Sequence, residues 1–295
     1  MSLKDLIKEA HGPEELIPLL SQFIREKASH KPPRDDGWHP SSFAGSCARL
    51  AVLDQILGAS SKNKAPDAKM ERIFDVGTSL HAWYQNEYFA PMGIIWGRWE
   101  CSSCHAIQFG MTPTQCFNPI CKDEKASFIY KEVPVFASLE GVSKPIVGHS
   151  DGLLKVKNKW YVLEIKTMNM FSHGPLSAPY ANHNLQAQVY AELIKQGKVI
   201  KHPSYTVNPI PSGIIFLYIN KNDSVEKEFF VELDEKAARL ELQKPYIIES
   251  SIINHTLPDR RPECVSMLKD PAKKCARCSH CYGRQSFDEI ALFRK

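Results

Sequence analysis

The spacing of hydrophobic and polar residues along the chain predicts a mixture of helices and strands. Apolar residues recur at helical spacing in several long segments, whereas shorter runs rich in β-branched and aromatic residues are typical of strands. The predicted helices are 13–27, 69–89, 180–196 and 234–252, with another that carries Cys47, and the predicted strands lie within 94–135, near 214–218 and near 225–231. Elements in this order predict an α/β domain around one central sheet.

The segment 145–166 predicts a β-hairpin that carries acidic residues. Two apolar runs flank a short polar stretch centred on Asn158, where a tight turn fits. With the turn there, Asp151 and Glu164 lie nearly opposite each other, and directly opposed side chains are about 5 Å apart at Cβ. Lys166 shares the face of Glu164, because alternate residues of a strand point to the same side.

Two carboxylates and an ammonium group on one sheet face suit phosphodiester hydrolysis. Carboxylates placed this close repel each other unless a cation lies between them, and oxygen ligands favour Mg²⁺ or Mn²⁺. Such an ion acidifies a water molecule into a nucleophile, and Lys166 can position that water or neutralise the transition state. The same residues alone also fit a solvated hairpin face with a cross-strand salt bridge.

Four elements, taken together in order, resemble the RecB-like branch of the PD-(D/E)XK nucleases. Gly148-x-x-Asp151 followed by Glu164-Ile165-Lys166 resembles the catalytic core of that branch. The stretch Gly77-Thr-Ser-Leu-His81 resembles its helix with a metal-binding histidine, and Gln186-Ala-Gln-Val-Tyr190 resembles its QxxxY motif, which lies on a helix beside the DNA. The resemblance spans about residues 41–285 and implies a restriction-endonuclease-like core, with a central mixed sheet flanked by helices.

The resemblance implies a metal-dependent DNA nuclease and assigns roles to particular residues. It implies Asp151, Glu164, Ile165 and His81 as ligands of Mg²⁺ or Mn²⁺, and Lys166, Gln186 and Tyr190 as further active-site residues. It favours an exonuclease acting on DNA ends or single strands over a sequence-specific cutter. The alternatives are a non-catalytic DNA-binding or scaffold module on the same fold, and a restriction-type or RNA-directed nuclease.

Two further features of the sequence indicate which partners the protein needs. The intact trio Asp151, Glu164 and Lys166 argues against a non-catalytic module, since a degenerate site would be expected to lose one of them. The chain lacks a Walker-type GxxxxGK[ST] motif, so any helicase activity would have to come from another polypeptide. We therefore expect DNA as the main partner and recombination or replication proteins as further candidates.

Nine cysteines occur in clusters, which favours metal binding over disulfides in a reducing compartment. The close pairs Cys101-x2-Cys104 and Cys116-x4-Cys121 fit a four-thiolate zinc ribbon or knuckle, which we expect to be a structural insertion over 97–126.

The remaining cysteines resemble the iron–sulfur ligands of the same nuclease branch, which includes the CRISPR-adaptation nucleases, AddB and related phage exonucleases. There, one early cysteine and three late ones bind a cluster that staples the two ends of the domain together. A [4Fe–4S] cluster needs four thiolates, whereas Cys47 and the 264–281 group offer five. The family's spacing favours Cys47, Cys264, Cys275 and Cys281, and the rival set replaces Cys264 with Cys278. A zinc site built from the four late cysteines is the alternative.

Composition limits the remaining possibilities. The formal net charge of +4 permits basic patches without requiring a nucleic-acid partner. No apolar run approaches the roughly 20 residues of a membrane span, and the charged residues within the first ten differ from a signal peptide. We therefore expect a cytoplasmic protein without membrane contact. The expected organisation is an N-terminal helix and linker over 1–36, then a nuclease domain over 37–295.

Overall fold

A seven-stranded mixed sheet forms the centre of the protein in the computed structural model. The structure describes residues 16–30, 36–58, 67–121, 123, 125–199, 209–268, 272–283 and 286–292. The strands are β1 (Ile95–Cys101), β2 (Ile107–Gly110), β3 (Phe128–Tyr130), β4 (Val133–Ala137), β5 (Ile146–Ser150), β6 (Gly152–Val156), β7 (Lys159–Met168), β8 (Pro211–Asn220) and β9 (Glu226–Val231).

The order of strands in the large sheet is β2-β1-β6-β7-β8-β9, and β3 also pairs with β1. Strands β6 and β7 form an antiparallel hairpin, whereas β7 and β8 run parallel. A parallel pair needs a crossover connection, and helices within 170–195 supply it. The long strand β7 therefore lies inside the sheet, with a partner on each side.

The predicted hairpin is shorter than 145–166, because the chain changes sheets within that segment. Strand β5 pairs with β4 in a separate two-stranded sheet, and the chain enters the large sheet only at Gly152. The turn is made by Lys157 and Asn158, both at positive φ, a combination typical of two-residue type I′ hairpins. Asp151 thus occupies the bend between the two sheets.

Helices cover the sheet. They are α1 (Leu16–Ser29), α2 (Pro40–Phe43), α3 (Ala48–Leu57), α4 (Ala68–Trp83), α5 (Met170–His173), α6 (Ala181–Lys195), α7 (Glu235–Leu242), α8 (Lys244–Ile253), α9 (Cys278–Tyr282) and α10 (Phe287–Ala291). A π-helical turn, Tyr84–Phe89, extends α4. The predicted helix 234–252 is wrong in one respect: it is two helices, because Pro245 lies at the start of the second and has no backbone N–H to donate.

Successive residues of β7 pack on opposite faces of the sheet. Val162 joins the apolar cluster that includes α6, whereas Leu163 and Ile165 join the cluster that includes Trp99 and Tyr130. Leu163 and Ile165 point into the core, since both are buried. Glu164 and Lys166 consequently face the side of the sheet that α6 covers.

Helix α3 packs against the C-terminal part of the described chain. Apolar side chains of α3 contact others from α8 and α10, among them Leu53, Ile248 and Phe287. The Arg277 guanidinium binds the Asp54 carboxylate at 2.8 Å, and Arg49 donates to the backbone oxygen of Pro258 at 2.8 Å. These contacts hold the segment around Cys47 against the late cysteines.

The predicted fold class is confirmed: a central mixed sheet is flanked by helices and carries a cysteine-bearing insertion. The arrangement is consistent with a restriction-endonuclease-like core. Helix α1 contacts α4, residues 31–35 of the predicted linker lie outside the described residues, and the boundary near 36 stays a prediction. Within the described part of the chain, no helix has the length and apolar character that a membrane crossing requires.

Candidate active site and cysteine centres

Asp151 is fixed at the sheet bend by backbone and side-chain contacts. Its carboxylate oxygen Oδ2 accepts a hydrogen bond from the backbone N–H of Ile165 at 2.6 Å. Its backbone oxygen accepts one from Gln85 Nε2 at 2.8 Å. Gln85 is buried in the π-helical turn after α4, an irregularity that often occurs at functional sites. The bend therefore orients the Asp151 carboxylate toward β7.

Glu164 and Lys166 form a buried ion pair on β7. Glu164 is only 2% exposed, and Lys166 Nζ lies 2.6 Å from its Oε1. Burial raises the pKa of Glu164 to about 7; the Lys166 charge opposes this shift and the Asp151 charge adds to it. Burial also disfavours the Lys166 ammonium, but the Glu164 carboxylate outweighs that effect and raises the pKa of Lys166. Asp151 lies one residue before the strand pair Gly152↔Leu163, and its charge contributes to the raised pKa of Glu164, so the two carboxylates are close together.

His81 reaches Asp151 from the last turn of α4. Its Nδ1 lies 3.2 Å from Asp151 Oδ1. Burial lowers the pKa of His81, but the Asp151 carboxylate overcomes this effect, so that the pKa lies above its usual value. The histidine and the aspartate, 70 residues apart in sequence, thus meet at the same site.

Helix α6 supplies the other two predicted residues. Lys166 Nζ donates to Gln186 Oε1 at 3.3 Å. Tyr190, one helical turn later, is buried, and burial together with the Glu164 and Asp151 charges raises its pKa. Gly148 leaves room for this ring, because a Cβ there would lie 2.9 Å from the Tyr190 hydroxyl oxygen. All the predicted active-site side chains therefore lie in one neighbourhood.

Three polar residues of this neighbourhood were not predicted from the sequence. They are Gln85, Glu132 and His183. Burial raises the pKa of Glu132 to about 7, and the Asp151 charge raises it further. Burial lowers the pKa of His183 to about 4, and the Lys166 charge contributes to this shift. No motif marks these residues, although His183 precedes Gln186 by three positions and thus shares its helix face.

The first cysteine group converges as the spacing predicts. The Sγ atoms of Cys101, Cys104, Cys116 and Cys121 all lie within 4.8 Å of one another. The turn that joins β1 to β2 brings Cys101 and Cys104 together. His105, in the same turn, has a positive φ. The backbone N–H of Ala106 lowers the pKa of Cys104 to about 7, which favours the thiolate that a metal needs. Four cysteines that can bind a metal are thus present.

The other five cysteines line a single cavity of about 300 Å³. Cys47 lies at the N-terminus of α3, after a segment held by the Glu241 carboxylate, which accepts from Gly45 N at 2.8 Å. Burial raises the pKa of Cys264, and the Cys47 and Cys281 thiolates add to the effect. Burial also raises the pKa of Cys275, and the same two thiolates add to that shift. Arg260, Arg261 and Lys274 also line this cavity and give it positive charge.

Cys278 differs from the other four cysteines in its contacts. Its Sγ lies 4.0 Å from the backbone oxygen of Met267. It affects the pKa of Cys275 less than the Cys281 and Cys47 thiolates do.

Comparison with known proteins gives distant likenesses. No family model and no curated protein matches the chain. The crystal structure of SSO0001 is 16% identical and matches 92% of this chain and 98% of its own, with a TM-score of 0.41. The crystal structure of LHK-Exo in complex with dAMP is 12% identical and matches 74% of this chain and 89% of its own, with a TM-score of 0.38.

The donor set at the sheet bend fits a hard divalent cation. Asp151 and Glu164 are both buried carboxylates, and the Asp151 charge disfavours ionisation of Glu164. Lys166 neutralises only one charge, and Glu132 adds a third carboxylate nearby. A cation held by carboxylate oxygens and the His81 imidazole would offset this excess of negative charge.

Proposed function

We propose that this protein is a metal-dependent DNA nuclease of the PD-(D/E)XK type, acting on DNA ends or single strands. The observation that carries the proposal is the convergence of Asp151, Glu164 and Lys166 with His81 and Gln186 from two separate helices. A solvated hairpin face would not bury two carboxylates, since buried charges are costly unless they are paired or bind a metal. The preference for DNA and for ends comes from the motif resemblance.

Asp151, Glu164, the backbone carbonyl of Ile165 and His81 would hold the ion. Mg²⁺ or Mn²⁺ supplies an acidified water molecule and electrostatic stabilisation of the phosphate when bound. The hydrogen bond from Ile165 N fixes one oxygen of Asp151 and leaves Oδ1 toward His81. The protein thus keeps the ligand side chains in place before substrate arrives.

Lys166 is the residue that acts on the reacting groups. Its ammonium is held between Glu164 and Gln186, and its raised pKa keeps it protonated. A protonated amine there can orient the attacking water and balance charge that develops on the phosphate oxygens. Gln186 serves as a positioning residue for the Lys166 ammonium, and Tyr190 acts on it indirectly through its side-chain hydrogen bond with Gln186.

The 300 Å³ cavity of the late cysteines fits an iron–sulfur cluster better than one zinc ion. Among the described cysteines, the Sγ atoms of the Cys101 group converge closely enough for a single ion, whereas those around this cavity form no such group. Sulfurs that ligate a cluster stand farther apart, because iron and sulfide lie between them. The Cys47 and Cys281 thiolates both raise the pKa of Cys264 and that of Cys275, which supports these four as the ligands. The positive side chains around the cavity suit the net negative charge of a thiolate-bound cluster.

Zinc is our proposal for the Cys101 group. Four thiolates that meet at one point, on paired strands, are typical of structural zinc sites. Elemental analysis of the anaerobically purified protein should find both iron and zinc. The protein should also absorb light at ~400 nm, from thiolate-to-iron charge transfer. Zinc without iron would contradict the cluster.

The nuclease assay uses end-labelled single-stranded DNA, linear duplex DNA and RNA, with Mg²⁺ or Mn²⁺. We expect metal-dependent cleavage of DNA that proceeds from an end. Purified protein that binds DNA but never cleaves any of the three substrates would contradict the proposal and favour a DNA-binding module. Preferred cleavage of RNA would contradict the assignment of substrate.

A further inference from the structure

A cleft of about 420 Å³ opens beside the candidate active site, between α4 and the ends of β7 and β8. Clefts of roughly 300–1,000 Å³ are the size range of small-molecule and cofactor sites. His81 and Glu132 line it, and both are electrostatically coupled to Asp151. The cleft is therefore continuous with the candidate active site, although none of the motifs of the sequence defines it.

The floor of the cleft depends on Gly77. A glycine inside a helix is unfavourable relative to alanine, so its presence in α4 needs a packing reason. A Cβ at position 77 would lie 3.0 Å from Thr167 Oγ1 and 3.3 Å from Lys221 Nζ. The absence of a side chain lets these two polar groups approach the helix, and the Thr167 hydroxyl and the Lys221 ammonium consequently lie at the base of the cleft.

Lys221 brings a positive charge that no carboxylate of the described residues neutralises. Its Nζ donates to the backbone oxygen of Ile73 at 2.8 Å, and an ammonium group has three donors. Burial lowers the pKa of Lys221 and is the sole cause of the shift, and within the described residues no ion pair involves it. A half-buried cation of this kind, with donors to spare, is suited to an anion entering the cleft.

Phe74 gives the mouth of the cleft an aromatic surface. Its side chain is 51% exposed, and it lies on the same face of α4 as Gly77 and His81, at spacings of three and seven residues. A positive groove beside an exposed aromatic ring is the combination that binds single-stranded nucleic acid, because the groove holds the backbone and the ring stacks on a base.

Building on the proposed nuclease function, we propose that this cleft binds the nucleotide next to the scissile phosphate of a single DNA strand. Lys221 and the Thr167 hydroxyl contact its phosphate, and the ring of Phe74 stacks on its base. His81 and Glu132 form the boundary between this nucleotide and the reacting phosphate. The cleft thereby selects an unpaired strand, since a paired base could not stack on Phe74.

The test is equilibrium binding of a fluorescein-labelled single-stranded deoxyoligonucleotide, without divalent cations, at several salt concentrations. Lys221→Met should weaken binding about tenfold and reduce the slope of log K against log salt by about 0.7, the value for one phosphate contact on a single strand. Lys221→Arg should keep the slope, because the charge remains. Lys159→Met, at the opposite end of β7, is the matched control and should change neither quantity.

Phe74 has a different expected signature. Phe74→Ala should weaken binding about tenfold through the lost stacking and leave the salt slope unchanged, whereas Phe74→Tyr should retain affinity. Circular dichroism establishes that each variant is folded. Folded Lys221→Met that binds with wild-type affinity and slope would overturn the proposal, as would equal losses in Lys221→Met and Lys159→Met.

Cleavage is measured separately on the wild-type protein, so that the two proposals fail independently. A wild-type protein that cleaves DNA, with binding insensitive to Lys221 and Phe74, would overturn the cleft and leave the nuclease proposal intact. Binding that depends on both residues, without cleavage under any metal condition, would support the cleft and contradict the nuclease.

Discussion

At the scale of single residues, hydrogen bonds fix the state of the groups around Lys166. His183 Nδ1 lies 2.9 Å from the Tyr218 hydroxyl, which also accepts a hydrogen bond from the backbone N–H of Tyr180 at 3.2 Å. Burial lowers the pKa of His183 to about 4, and the nitrogen Nδ1 of the neutral ring can accept the Tyr218 hydroxyl proton.

This arrangement predicts a stability that depends on pH. His183 has a pKa of about 4 in the fold, whereas an unfolded histidine titrates near ~6.5. Between these values the unfolded chain binds the proton and the folded protein does not, so the free energy of unfolding decreases as the pH falls from 6.5 to 4.

His183→Gln keeps a hydrogen-bond acceptor for Tyr218 and removes the titration. The variant should lose less thermal stability than the wild type between pH 6.5 and pH 4.5, as measured by melting temperature. Parallel curves for the two proteins would show that His183 is not held neutral.

The sequence predicted the site residues that belong to a spaced pattern and missed those that do not. Asp151 and Glu164 are brought together by strand pairing, and Gln186 and Tyr190 by one helix face, which are both periodic features. Glu132 enters the site because its own backbone adopts a positive φ, a conformation that is uncommon outside glycine. Gln85 enters through a π-helical turn, which residue spacing does not mark.

At the scale of elements, the contact between β5 and α6 determines how closely the helix approaches the site. Gly148 faces the Tyr190 ring, and Pro40 of α2 lies against the same position. The prediction of one hairpin over 145–166 was wrong here, because β5 and β6 have similar apolar patterns, which together predict one strand. Only their partners, β4 for one and β7 for the other, distinguish them.

Gly148→Ala should displace α6, because the added methyl group would meet the Tyr190 hydroxyl at 2.9 Å. We expect a loss of about 1–3 kcal/mol in the free energy of unfolding, as for other overpacked sites, and slower DNA cleavage. Urea denaturation and initial cleavage rates measure the two effects.

The double variant Gly148→Ala/Tyr190→Phe tests the cause. Removing the hydroxyl takes away the nearest clashing atom, so part of the lost stability should return. A double variant as unstable as the sum of the two single variants would indicate that Tyr190 is not the obstacle.

At the scale of the whole molecule, the late cysteine cavity joins segments that are distant in sequence. Cys47 and Cys264 line the same cavity, whereas the Cys101 group spans only residues 101–121. The spacing of the cysteines predicted the Cys101 group, whereas the family resemblance implied that Cys47 and the late cysteines bind one cluster. The choice between Cys264 and Cys278 stayed open, because it depends on the spatial arrangement of five thiols that all line the cavity.

Cys47→Ser should lower the melting temperature and the iron content more than Cys101→Ser does. A crosslink that closes a loop of two hundred residues is worth about 4–5 kcal/mol, by analogy with a long-range disulfide, whereas loss of the short loop mainly disorders the insertion. Differential scanning fluorimetry on anaerobically purified proteins makes the comparison. Equal destabilisation, or a larger effect from Cys101→Ser, would contradict the division into a staple and an insertion.

The central claim concerns the buried carboxylates at the sheet bend, and Asp151→Asn tests it most directly. The asparagine oxygen can still accept the hydrogen bond from Ile165 N, so the fold and DNA binding should remain, while the charge that holds the cation is lost. Single-turnover cleavage of single-stranded DNA with Mn²⁺ should fall by at least about a hundredfold, whereas the control Asp288→Asn, at an exposed position of α10, should cleave at the wild-type rate. Wild-type cleavage by Asp151→Asn would contradict the assignment of this site.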